Sequence, residues 1–179
     1  METPLAARYF AVFRTCVFAC LFIGSFAFYL PRYFELLNGG LNSDWRLIGW
    51  VPFVVGAFVA LRCAFGFAWT GRGTPAPFDP PRKLVVTGWY RYVRNPMYFG
   101  FAVLLVGEWL LWGSNLVGAV IYFLCYWAAV ALFVVIYEEP TLKRKFAEDY
   151  AEYVRHVPRF VPRLRPWHPE KEKSATHVL

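Results

Sequence analysis

Metal-binding spacing is missing from this chain. Its four cysteines, Cys16, Cys20, Cys63 and Cys125, all lie inside apolar runs, with no CxxC pair and no nearby histidine. That excludes a zinc framework and leaves the thiols as packing residues. The three histidines fall in the polar C-terminal part, at 156, 168 and 177, so no ligand cluster forms there either, and no metal is expected. A glycine-rich nucleotide loop is also lacking, because Gly71-Arg-Gly73 has no strand before it and no helix after it, and reads as a turn. The first apolar run is followed by SFAFYLPRYF, which has no small-x-small cleavage site and so does not read as a signal peptide.

What is present is apolar surface. Hydrophobic residues make up 58% of the 179 positions and aromatics 21%, with mean hydropathy +0.37. A soluble domain of this size rarely carries so much. The formal charge of +7 concentrates beside the apolar runs, which points to membrane flanks rather than to a nucleic-acid face. Four spans are expected: Tyr9 to Leu30, Leu47 to Thr70, Met97 to Trp112 and Asn115 to Tyr137, the last without a single charge. Arg14 sits near a span end, where a long side chain reaches the headgroups, and Arg62 either does the same or faces a polar cavity. The positive-inside rule puts both termini and the basic, proline-rich 71–95 loop in the cytoplasm.

Beyond Tyr137, Leu142, Phe146, Tyr150, Tyr153 and Val157 recur at spacings of three and four. This is the pattern of an amphipathic helix lying on the membrane or closing over the bundle. Three segments follow: residues 1–70 with two spans, 71–163 as a functional core, and 164–179 as a polar tail whose last ten or so residues are expected to be disordered.

The stretch RYVRNPMYFG, residues 91–100, starts the third span. Asn95 is a favoured N-cap and Pro96 a favoured first helical residue. Free backbone N–H groups there, with Arg91 and Arg94, suit a carboxylate or phosphate. Span three has about sixteen residues and span four about twenty-four, so span four should overhang by about 12 Å at 1.5 Å per residue. Its overhanging end carries Glu138 and Glu139. An arginine pair and a carboxylate pair then face each other across a notch that suits a zwitterionic ligand.

RYVRNPMYFG, followed about forty residues later by EEPTLKRKFAEDYAEYVRHVPRFVP, resembles the isoprenylcysteine carboxyl methyltransferase and phospholipid methyltransferase superfamily. The preceding GTPAPFDPPRKLVVTGWYRYV resembles its bacterial or archaeal branch. The likeness covers roughly residues 71–163.

It implies an all-α integral membrane enzyme of about four transmembrane helices, with a C-terminal amphipathic helix closing a cytoplasmic-side pocket for S-adenosylmethionine. The acceptor would be a lipid or lipidated molecule entering from the bilayer, with no nucleic-acid partner. By motif match, Arg94, Asn95, Pro96, Tyr98, Gly100, Glu138 and Glu139 would bind the cofactor. Tyr150 and Tyr153 would close the pocket, and Arg159 would act on the acceptor. Asn95 stands where many members have histidine, so no proton transfer is assigned to it, and Ala147 stands where many have glycine. The alternative is a non-enzymatic membrane module or a sterol-reductase-like enzyme of related architecture.

The charge pattern sets a topology test. Reporter fusions or cysteine labelling should place residues 75 and 175 on the cytoplasmic side and residue 40 opposite. Opposite sides for 75 and 175 would contradict the four-span reading.

Overall fold

An apolar sequence can satisfy its backbone in a bilayer only by forming helix or a closed barrel, and this chain takes the first course. The computed structural model describes residues 24–34, 44–71, 83–113 and 115–169, with isolated positions between 9 and 21. Among them there is helix and no strand. A π-helical turn, Gly24–Tyr29, runs into the short helix α1, Leu30–Tyr33. The long elements are α2, Trp50–Gly66; α3, Pro96–Trp112; α4, Leu116–Phe133; and α5, Glu139–His156. Eight of the 22 positions of the first expected span, and residues 72–82 of the proline-rich loop, lie outside the described residues.

Among the described residues two helical stretches are long and apolar enough to cross a membrane: Leu47–Thr70, with 24 residues, and Leu116–His156, with 41. The Pro96–Trp112 helix is apolar but shorter. Val54, Phe58 and Leu61 of α2, with Ile121, Leu124 and Leu132 of α4, present exposed apolar side chains, as helices bathed in lipid do. At 1.5 Å per residue the second stretch would measure about 60 Å, twice a hydrocarbon core of about 30 Å, so its C-terminal part must leave the bilayer.

The closest packing joins α2 to α3 through small residues. A Cβ added to Gly56 would lie 2.3 Å from the Leu104 backbone nitrogen, and one on Gly107 would lie 2.2 Å from that of Phe53. Gly100 takes part in the same seam, where a Cβ would meet the Ala60 nitrogen at 2.7 Å. In lipid there is no hydrophobic drive between apolar helices, so this close approach supplies the contact energy. On the other side of α3, Phe101, Leu104 and Leu105 pack with Tyr126, Val130 and Val134.

No loop separates the apolar part of the second stretch from its charged part. Pro140 lies in the first turn of α5 and cannot donate to the preceding turn, and the π-helical segment Val134–Glu138 just before it absorbs the mismatch. The break comes later, at Ala147, with φ 39° and ψ −108°. Tyr150, Tyr153 and Val157 then pack with Trp167, flanked by Leu142, Phe146 and Leu84.

A side chain at Ala147 is strained in that conformation. Replacing it by glycine should relieve about 1–3 kcal/mol of strain against roughly 0.5–1 kcal/mol of lost chain entropy. Ala147→Gly should therefore raise the melting temperature in detergent. An unchanged or lower value would show that residue 147 does not hold this geometry.

Candidate functional site

Where α3 begins, the chain must leave an irregular loop and enter an apolar helix. Gly88, at φ 57°, turns it into the short 3-10 segment Gly88–Arg91, and Asn95-Pro96 opens the helix. Asn95 occupies the N-cap position, but its side chain makes no capping bond. It is buried and donates through Nδ2 to the Arg159 carbonyl at 3.1 Å. Side-chain capping is found instead at Asn115, which accepts from the Gly118 N–H at 2.9 Å and starts α4.

The loop is bound along its length to the segment that follows α5. The Arg94 N–H donates to the Pro158 carbonyl at 2.9 Å, the Arg163 N–H to Tyr92 at 3.0 Å, and the Trp167 N–H to Arg91 at 3.1 Å. The Tyr153 hydroxyl donates to the Tyr90 carbonyl at 2.7 Å in a buried bond, and the Trp167 ring stacks on His156 at 5.0 Å. Burial, with Cys63, Glu138 and Tyr153 nearby, pushes the Tyr90 hydroxyl well above the ordinary phenol range.

At the centre of this junction is Glu139. Its carboxylate accepts from Arg159 Nε and Nη2, each at 2.7 Å, in a fork-to-fork pair, and Arg94 Nη1 lies 2.8 Å from its Oε1. The hydrogen bonds to Glu139 push the Arg159 pKa up. Two guanidiniums on one carboxylate leave one positive charge in excess. Arg94 is nearly enclosed, with 10% of its side chain exposed, whereas Arg159 keeps 39%.

Next to this cluster Tyr98 donates from its hydroxyl to Glu138 Oε2 at 2.9 Å, and Tyr126 donates to the Tyr98 carbonyl at 2.8 Å. The long Tyr98 side chain reaches across the overhang expected from helix lengths to Glu138.

The structure thus brings Arg94, Asn95, Glu139 and Arg159 into direct contact and sets Tyr98 on Glu138. Tyr150 is buried in the layer beneath, beside Tyr153 at 6.2 Å between rings. Pro96 is buried at the helix start, and Gly100 faces α2, so its missing side chain serves helix packing. Sequence reasoning missed Tyr90, Tyr126 and Trp167. Trp167 lies four residues past the core boundary set at 163 and is buried, and a tryptophan among prolines was the available signal.

Replacing Tyr153 by phenylalanine keeps the ring and strands the Tyr90 carbonyl. Such a buried loss costs about 1–3 kcal/mol, so Tyr153→Phe should melt measurably below wild type. A melting temperature equal to wild type would show that this bond does not hold the loop.

Similarity to a known family takes in Arg94, Asn95, Tyr98, Glu138 and Glu139 and ends before Arg159. The family model described as phospholipid methyltransferase matches residues 45–149. Over 80 residues the chain is 36% identical to protein-S-isoprenylcysteine O-methyltransferase B of Arabidopsis thaliana, covering 45% of this chain and 40% of that protein. Over 79 residues it is 34% identical to the protein-S-isoprenylcysteine O-methyltransferase of Schizosaccharomyces pombe, covering 44% of this chain and 33% of that one. The chain therefore spans less than half the length of either relative, and no solved structure matches it. With more than half of its residues inside the family match, and with the arginine and glutamate motifs meeting in one cluster, the chain belongs to the phospholipid methyltransferase family.

Proposed function

We propose that this protein is a multi-pass membrane methyltransferase that moves a methyl group from S-adenosylmethionine to a lipophilic acceptor. In this reading four spans place both termini and the site in the cytoplasm. The observation that carries the proposal is the meeting of Arg94 and Arg159 on Glu139, beside the Tyr98–Glu138 pair, at the mouth of an apolar bundle.

The donor set fits the cofactor. Carboxylates at Glu138 and Glu139 match ribose hydroxyls or an ammonium group, and the guanidiniums match a carboxylate. Arg94, Asn95, Pro96 and Tyr98 would form one wall and the glutamates the other. Tyr150 and Tyr153 would hold the closing segment in place, and Gly100 would act through the α2–α3 seam. When bound, the cofactor supplies an electrophilic methyl group on a sulfonium. The residues around it have to align the acceptor and exclude water, with little acid-base work.

A carboxylate acceptor of the prenylcysteine type suits this site best. It is already a nucleophile, and the exposed guanidinium surface of Arg159 can orient it while Arg94 stays on Glu139. The names of the two relatives support the same class. A phospholipid amine is the second reading, supported by the description of the family. An amine or a thiol must first lose a proton, and no base is assigned for that step.

Titration of purified protein in detergent with S-adenosylhomocysteine tests the cofactor. Wild type should bind, and Glu138→Gln and Arg94→Lys should each bind about ten-fold or more weakly, as for a lost charged hydrogen bond. Arg144→Ala should bind as wild type, since Arg144 is exposed and bonds Thr141. A wild type that fails to bind, or variants that bind equally, would overturn the proposal. Labelled-methyl transfer to a prenylcysteine, but not to phosphatidylethanolamine, would then decide the acceptor.

A further inference from the structure

Glu108 takes no part in that site. It lies on α3 twelve residues beyond Pro96, about 18 Å along the helix, and is 1% exposed. Its Oε1 finds no hydrogen-bond partner among the described residues, and neither does the Nε1 of the adjacent Trp109. Both residues line a cavity of about 230 Å³ between α3, α4 and α1. The rest of the lining is nearly all apolar, including Phe123 and the aromatic ring of Tyr122. Val120 and Leu124, which also line it, are 49% and 62% exposed, so the cavity opens sideways toward lipid.

A carboxyl group inside a membrane helix is costly, and one without a partner more so. Four kinds of occupant can be compared by what they satisfy. Hydrocarbon pairs with neither orphan atom. An ammonium group donates to Glu108 but cannot accept from the Trp109 N–H. Water can do both, yet the cavity has room for on the order of eight water-sized groups, and all but one or two would lack polar partners. A hydroxyl on an apolar body donates to the carboxyl oxygen, accepts from the indole N–H, and fills the remaining space with hydrocarbon. We propose that this cavity is a lateral binding site for a bilayer-dissolved amphiphile carrying one hydroxyl group on a hydrocarbon body.

The probe is a photoreactive decanol with a mid-chain diazirine, applied to the full chain in detergent and mapped by mass spectrometry. Labelling should be saturable and fall within residues 105–124. Decanol should compete at least ten-fold better than decane or decylamine. Glu108→Leu should lose about ten-fold or more of the labelling and keep or raise the melting temperature, because an apolar side chain replaces an unpaired buried acid. If Glu108→Leu does not fold, Trp109→Phe serves, with competition by decanol weakened several-fold. Equal competition by decane, better competition by decylamine, unsaturable labelling, or undiminished labelling of the substituted protein would each overturn the site.

Discussion

Two arginines at the mouth of an apolar bundle need a counter-charge, and Glu139 supplies it to both. The carboxylate comes from the middle of the second long helical stretch, at the start of α5, Arg94 from the loop before α3, and Arg159 from the segment after α5. One group therefore ties three parts of the chain that are distant in sequence. The backbone bonds from Arg94 to Pro158 and from Arg163 to Tyr92 run alongside it, and Asn95 adds a third tie at Arg159. Charged fork-to-fork pairs are roughly twice as strong as neutral ones, and removing one partner from an enclosed pair leaves a costly orphan. With 10% of its side chain exposed, Arg94 would be such an orphan.

This junction needs a rigid floor, which the glycine seam between α2 and α3 provides. Gly56 and Gly107 let two backbones approach so closely that any side chain there would force them apart. The position of Pro96 is then fixed by α2 behind it, and the position of Tyr98 by Tyr126 beside it. The helix carries the glutamates on from α4 without a loop, so their distance from Arg94 is set by helix geometry and by one π-helical segment. A junction assembled in this way holds its side chains in place in advance, as the proposed methyl transfer would require.

Much of this was legible in the sequence, and the reasons differ by residue. The apolar helices within Leu47–Thr70, Pro96–Trp112 and Leu116–His156 stand out because a chain this small has too little interior to bury such long apolar runs, and two of them are long enough to span a membrane. Glu138 and Glu139 were legible because acids at a helix C-terminus oppose the macrodipole, Arg94 because it directly precedes the Asn95-Pro96 helix start, and all of these with Arg159 because the spacing of the two motifs resembles a known family. The partner of each charge was not legible. Asn95 reads as a capping residue, yet its side chain serves Arg159, since a carbonyl 64 residues away leaves no local signal. Gly100 reads as a site residue, yet its space is taken by Ala60, and helix pairing of that kind depends on rotation about the axis. The π-helical segment before Glu138 and the break at Ala147 compensate for Pro140 and for the turn off the bundle, which only the assembled helices demand.

The Arg94–Glu139 pair couples the loop before α3 to the start of α5, and the other ties of the junction run alongside that coupling. A double-mutant cycle measures it directly, with Arg94→Met, Glu139→Gln and the pair together, each followed by equilibrium unfolding in the same detergent. Pairs in contact show interaction energies of about 0.5–3 kcal/mol. The expected result is a favourable coupling in the upper half of that range, with each single substitution costing nearly as much as both. A coupling within about 0.3 kcal/mol of zero, with the two costs simply adding, would contradict it.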